Sequence, residues 1–425
     1  MNCYLATSLY TFGPSSFWQF DNNTLDSISN LNGVAINSPT YVTPGITGSG
    51  YAINLIKNNT QYVTIAANQI FANTSFTVEM WIYAALPSDI FYGLFSQHGA
   101  SPTDCLLYLI LRYQRVYMGF YSDDLEGGTV MSTTNTWYHV AFVYDYRSRT
   151  QIVYLNGYQD GLRSPAGPYL GISDAITIGT YFDIVGQQQP FNGYIDQVSL
   201  TMRTKSASEI LTDATLTTWH SFDSIPLQDS GPLGLITTTN NVTLATGKVN
   251  QALSFNSTSS YYQIQSFVLL GISNYAYSVA LWVKRTSTGG GTLVHLSTQT
   301  NGQGWCVTLL GFRSTGEIVA TNWASSGKEV VGPVLPINVW THVASTFSTM
   351  NGLRFYINGI YNGTTGVMSY IAAQQAVILT LGNPMTGGSC NSSSIVTGVY
   401  SGYLDEFRVY SRELSATNVY TLANP

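Results

Sequence analysis

Three carboxylates stand close together in the first half of the chain, at Asp123, Asp124 and Glu126, directly before Gly127-Gly128. Acidic side chains in a short glycine-bounded loop offer the hard oxygen ligands that calcium takes. Calcium in the first half is one chemistry open to this sequence; a solvated turn is the plain alternative. The second half carries only Glu317 at the matching place, so such a site would belong to the first half alone. A second arrangement is aromatic. In FTVEMWIY, starting at Phe76, strand alternation puts Trp81 on the same side as Glu79. A tryptophan beside polar groups can stack on a pyranose ring. Trp282 stands likewise in the second half, and the loop aromatics Tyr121, Trp305 and Trp323 are further candidates. The plain reading of Trp81 and Trp282 is that a crossing loop or closing segment covers them.

Catalytic groups are harder to find. Asp405 and Glu406 are adjacent, so in a regular strand their side chains point to opposite faces. His139 and His342 lie in apolar runs beside Trp, with no nucleophile or carboxylate at a matched position, which reads as buried structural histidine. His98, His220 and His295 form no metal-ligand spacing. The cysteines, Cys3, Cys105, Cys306 and Cys390, match no zinc or haem motif. They fall two per half, which permits one disulfide in each; buried free thiols are the alternative. Sequons at Asn22, Asn58, Asn73, Asn241, Asn256, Asn362 and Asn391 would carry glycans if the protein is secreted. This composition produces about that many by accident. The expectation is a protein that is not an enzyme and needs no cofactor beyond a possible calcium.

Composition narrows the partners. Charged residues make up 9% of 425 and the net charge is −6, which excludes the clustered cations that nucleic acid demands. So weak a net charge leaves self-association unopposed. No run of eighteen apolar residues exists to span a membrane. The N-terminus lacks the pattern of a signal peptide; the fold signals and the composition point to an extracellular or cell-surface protein, the folded part of a longer secreted chain, with a cytosolic protein as the alternative. Met1 to Pro14 carries no charge and could pair with an exposed sheet edge of another copy.

The elements that must position these residues are written twice. WQFD at Trp18 returns as WHSFD at Trp219, and FTVEMWIY at Phe76 as YSVALWVK at Tyr277. WYHVAFVYD at Trp137 returns as WTHVASTFS at Trp340, and VYLNGYQDG at Val153 as FYINGIYNG at Phe355. FNGYIDQVSL at Phe191 returns as YSGYLDEFRV at Tyr400. Five blocks in one order mean a duplication, with domains at residues 1–215 and 216–425. Each block alternates with period two, as a half-buried strand does. Asn156-Gly157 and Asn358-Gly359 are hairpin turns, because both residues tolerate positive φ. Helical periodicity survives only near Ser206–Leu211 and Ser415–Leu422. The expected fold is all-β: two tandem antiparallel β-sandwich domains.

In these blocks the sequence resembles the laminin-G-like, concanavalin A-like jelly-roll superfamily. The resemblance rests on W-x-F-D with a following Asp (Asp26, Asp229), on Gly50-Tyr51-Ala52-Ile53, on Phe76–Trp81, on the two W-x-H-V-A motifs and on hydrophobic-N-G. It rests also on the strand ending at Val198 and Val409, and on the closing YSRELS from Tyr410. It covers essentially the whole chain. The glucanase relatives it implies carry E-x-D-x-x-E on one strand, which is missing here; the superfamily's loop-rim calcium would fit the Asp123 cluster. The resemblance specifies fold better than function. The leading expectation is a binding or adhesion pair for glycans or extracellular proteins. The alternatives are a structural subunit that assembles into filaments or matrix, and accessory domains of a larger glycan-processing enzyme.

Overall fold

In the computed structural model, residues 13–66, 69–86, 91–98, 104–171, 174–386 and 390–425 are described. Met1–Pro14 lies almost wholly outside them, and so does Cys3. The chain forms two compact units, the first ending at Ala214 and the second starting at Thr215.

Each unit is a sandwich of two antiparallel sheets with the same strand plan. In the first, one sheet runs Tyr158–Arg163, Thr150–Leu155, Trp137–Asp145, Phe76–Ala84, Gly193–Thr201, Ala52–Leu55, Thr40–Val42, with Ser16–Trp18 beside Gly193–Thr201. The facing sheet runs Asp124–Glu126, Arg115–Gly119, Leu106–Arg112, Phe91–His98, Ile176–Ile178, Tyr62–Ile65, Gly33–Ile36. The second unit repeats this, with Tyr277–Arg285, Thr341–Ser348 and Gly402–Tyr410 at the centre of one sheet and Gly291–Ser297, Cys306–Phe312 and Glu317–Trp323 in the other.

Alternation decides which side chains enter the core between the sheets. Phe76, Val78, Met80 and Ile82 point between the sheets and are fully covered, as are Tyr277, Val279, Leu281 and Val283 in the second copy. Burying an aliphatic or aromatic side chain of this size contributes roughly 1.5–3 kcal/mol, so these two strands anchor their cores. The Asn-Gly turns form as the sequence implies: φ is +51° and +83° at Asn156 and Gly157, and +49° and +77° at Asn358 and Gly359. Both asparagines also accept a hydrogen bond at Oδ1, from the His139 amide (3.0 Å) and the His342 amide (2.9 Å). Helices occur where periodicity survived, at Ala207–Thr215 and Ala416–Leu422. Ser415 caps the latter by accepting from the Asn418 amide.

Four aspartates, Asp26, Asp196 and Asp405 buried and Asp229 half-buried, tie loops to strands. Asp26 accepts from the amides of Phe17, Ile28, Ser29 and Leu31, and Asp229 from those of Trp219, Gly231 and Leu235. Asp196 accepts from the Ile46 amide and Asp405 from those of Lys248 and Val249. Asp405 and Glu406 do not point to opposite faces, contrary to the regular-strand expectation. A bulge with φ +52° at Glu406 leaves both between the core-facing Leu404 and Phe407, on the outer side.

Burial pushes the Asp405 carboxyl up to about 7, with the Glu406 charge adding to the rise. Its Oδ1 has no hydrogen-bond partner, so a negative charge there goes without compensation. The folded state thus keeps a proton that the unfolded chain releases near pH 4. Stability from this group is complete below pH 4 and is lost as pH rises through 7. His342 works in the opposite sense: burial lowers it to about 3, so its contribution is complete above pH 6.5 and lost as pH falls. Asp405→Asn will remove the alkaline decline. Between pH 5 and 8 the wild type will lose about 2–3 kcal/mol relative to the variant. Melting temperatures measured across that range test this, and parallel profiles would refute it.

Candidate functional site

The outer face of the first unit's second sheet gathers groups that the sequence leaves scattered. On Leu106–Arg112 the residues turned away from the core are Tyr108, Ile110 and Arg112; on Arg115–Gly119 they are Arg115 and Tyr117. The hairpin of Thr180–Phe182 and Gln188–Pro190 brings Tyr181 over the same face, close above Gly93. Tyr108 stacks nearly parallel to Tyr117 (6.2 Å between centroids, 12°) and to Tyr181 (5.9 Å, 29°). Phe91 and the exposed Tyr113 lie 5.2 Å apart at its border. The Arg112 guanidinium sits 5.6, 5.3 and 5.0 Å from the rings of Phe91, Tyr113 and Tyr117, and donates to the Tyr117 hydroxyl at 3.1 Å. An arginine held by three rings is a fixed donor. Glycine is required at 119: a Cβ there would stand 2.2 Å from the Tyr108 ring.

Two acids of the Asp123–Glu126 loop border this patch. Asp124 and Glu126 lie on the strand paired with Arg115–Gly119, opposite Gly119 and Tyr117. Asp124 accepts from the Tyr108 hydroxyl (2.7 Å), and Glu126 lies 3.6 Å from Arg115. Asp123 turns elsewhere, to Arg163 (2.5 Å) and the Gly167 amide. Among the described residues these three carboxylates do not converge on one point. Burial and the Asp124 charge raise both phenols, Tyr117 to about 12, so they remain neutral donors at any physiological pH. The stack itself is mostly covered, Tyr117 and Tyr181 being buried, and the open part of the patch is Tyr113 with half-buried Phe91, Tyr108 and Arg112; its two arginines and two carboxylates balance in charge.

The remaining candidates fall elsewhere. Trp81 and Glu79 share a face as expected but cannot meet a ligand; this corrects the stacking expectation. Trp81 is 4% exposed and packs edge-on to His139 at 5.2 Å. Glu79 is 3% exposed and is closed over by Lys205, which also bonds Asp213 of the terminal helix. His139 is neutral beside it, since burial and the Lys205 charge lower it to about 3. Trp282 is corrected for the same reason: Lys248 lies 4.8 Å above its ring and His342 5.3 Å from it. Tyr121, Trp305 and Trp323 stay half-buried, the two tryptophans packed against the second core and Tyr121 in a turn at φ +64°. Six sequon asparagines, Asn22, Asn58, Asn73, Asn241, Asn256 and Asn362, are exposed. Asn391 is not open: its amide nitrogen is buried, which argues against a glycan there.

In the second unit the equivalent face is covered. The segment around 390–398 crosses it, held by the Cys306–Cys390 disulfide, by the Thr308 amide donating to the Asn391 carbonyl, and by Ser394 between Arg313 and Glu329. Cys105 is a free thiol. Thr308 stands where Tyr108 does, so this face has no tyrosine stack of that kind.

Two sandwiches of one strand plan define an all-β tandem repeat. Residues 57–211 and 256–420 match the model of the concanavalin A-like lectin/glucanases superfamily, and the chain belongs to that superfamily in two tandem copies. Among solved structures, it is similar to domain 4 of AbnA, a GH43 extracellular arabinanase from Geobacillus stearothermophilus, in complex with arabinotriose. That match has 25% identity and a TM-score of 0.36, over 49% of this chain and 98% of that one. The botulinum neurotoxin serotype G binding domain matches at 15% identity and TM-score 0.38, over 49% and 50%. The binding domain of Paraclostridial Mosquitocidal Protein 1 matches at 15% and 0.37, over 50% and 52%. The chain spans about half the length of these toxin domains. No curated protein matches the chain. No helix among the described residues is long and apolar enough to cross a membrane.

Proposed function

We propose that the chain is a non-catalytic carbohydrate-binding pair whose first domain holds a neutral glycan on the open rim of this patch, at exposed Tyr113 and half-buried Phe91 and Tyr108, with the buried Tyr117 and Tyr181 backing it. The observation that carries this reading is the accessible Tyr113, with half-buried Phe91, Tyr108 and Arg112 beside Asp124 and Glu126, on an outer sheet face stiffened by the stack beneath. Sugar rings offer apolar C–H faces to aromatic surfaces and hydroxyls to charged acceptors and donors. Balanced local charge favours a neutral sugar over a sulfated or sialylated one. Membership of a superfamily of lectins and glucanases agrees with this. Turnover is not part of the proposal, because Asp124 is engaged by Tyr108 and Glu126 by Arg115, leaving neither placed as a free acid or nucleophile. The disulfide suits an oxidising, extracellular setting.

Calorimetric titration against a panel of neutral oligosaccharides tests the reading. Tyr113→Ala and Asp124→Asn should each weaken binding about tenfold, a loss near 1.4 kcal/mol, while Trp81→Phe should leave it unchanged. No binding across the panel, unaltered affinity in both site variants, or release of reducing sugar would overturn the proposal.

A further inference from the structure

Beneath the covering segment of the second unit lies a group that neither the fold nor the proposed glycan face uses. His295 is fully buried on the strand Gly291–Ser297. Its Nε2 lies 3.9 Å from Cys390 Sγ and 3.0 Å from the Gly302 carbonyl oxygen, and that oxygen is 3.5 Å from the same sulfur. Nε2 and the two sulfurs of Cys306 and Cys390 all lie within 4.8 Å of one another. Among the described residues the first unit has no such trio. By strand register, Ser96 takes the place of His295 and Leu106 that of Cys306. The donors therefore belong to this copy and are not a demand of the fold.

The geometry points to a metal site gated by the redox state of Cys306–Cys390: when the disulfide is reduced, the two thiolates and His295 Nε2 bind a zinc-class divalent cation. A dithiol or phosphine reductant supplies two electrons, the S–S bond breaks, and each sulfur takes one proton. Both protons leave as the thiolates bind the metal. Two thiolates and a dication sum to zero charge, which a buried site with no other charged partner requires. Soft sulfur with imidazole is the donor set that zinc takes, and the Gly302 oxygen or a water completes four-coordination. Thr308 Oγ1, 3.2 Å from Nδ1, would accept the proton there and hold the ring in the ligating tautomer. In oxidising surroundings the sulfurs are joined and the site is closed; in reducing surroundings the metal would replace the disulfide as the tether of the covering segment.

Cobalt(II) titration of the full chain tests this, in a Cys3→Ser/Cys105→Ser background that removes the other thiols. The phosphine-reduced protein should take up one equivalent, with thiolate charge-transfer absorption and intense tetrahedral ligand-field bands, displaced by zinc. The oxidised protein should show neither. His295→Ala should weaken the reduced protein's affinity by tenfold or more while circular dichroism stays native. Should that variant misfold, X-ray absorption of the reduced, zinc-loaded chain with His295 intact decides, two sulfurs at about 2.3 Å with nitrogen or oxygen at about 2.0 Å being expected. No uptake after reduction, equal uptake by the oxidised form, unaltered affinity in a folded His295→Ala, or a sulfur-free absorption shell would each overturn the proposal.

Discussion

Lys205→Met will destabilise the first domain by about 3–5 kcal/mol, lowering its melting temperature by on the order of 10 °C. Lys205 neutralises Glu79 and Asp213 at once, and Glu79 is buried with His139 neutral beside it. Removing the cation strands a carboxylate that burial already drives upward, to about 7 even with Lys205 present. The duplication shows what else the fold accepts there. Ala280, Leu414 and Leu422 occupy the matching places in the second copy, in an apolar cluster with Ala344, Tyr356 and Val419. Replacing a buried ionic cluster by packed apolar residues is often neutral or stabilising by about 1–4 kcal/mol. The triple change Glu79→Ala/Lys205→Leu/Asp213→Leu should therefore recover the loss from Lys205→Met and match or exceed the wild type. Denaturant unfolding of the three proteins checks both statements. A harmless Lys205→Met would mean the charges are solvated, and a triple variant as weak as the single would mean the apolar residues do not pack in this copy.

That comparison between copies also explains what the sequence made legible. The sandwich was readable because its signals are local. Alternation in FTVEMWIY sets the core face, Asn-Gly sets two hairpins, and five repeated blocks set the duplication. The proposed glycan face was not, because it depends on which strands become neighbours. Tyr108, Tyr117 and Arg112 alternate with core residues, so their outward direction could be read; that Tyr181 would fold back over them could not. Trp81 misled for the opposite reason: its outward direction was read correctly, but the groups that cover that face, His139 against its ring and Lys205 over the neighbouring Glu79, lie far along the chain. Asp405 and Glu406 were misplaced by a bulge that period-two counting cannot see. His295 stands 11 residues before Cys306 and 95 before Cys390, a spacing that no metal motif uses, and only the sheet register brings the three together.

Removing the second domain's disulfide should have the other large effect. Cys306→Ala/Cys390→Ala is expected to cost that domain about 2–4 kcal/mol, because the bridge closes a loop of 84 residues and so restricts the unfolded chain strongly. The competing view is that hydrogen bonds alone hold the covering segment: Thr308 to Asn391, Val396 to Phe312, and Thr292 to Gly398. Those bonds contribute little net free energy each, about 1 kcal/mol, and form only once the segment is already in place. The bridge acts earlier, on the unfolded ensemble, so the loss should exceed what the native contacts can restore. For a domain of this size it amounts to a fall of about 5–15 °C in melting temperature. The first domain has its own core, built from Trp18 to Leu200, and its transition should not move. Calorimetry of the wild type and the double variant therefore distinguishes the two views. A shift below 2 °C in the second transition would show that hydrogen bonding suffices, and an equal shift in both would show that the domains do not unfold separately.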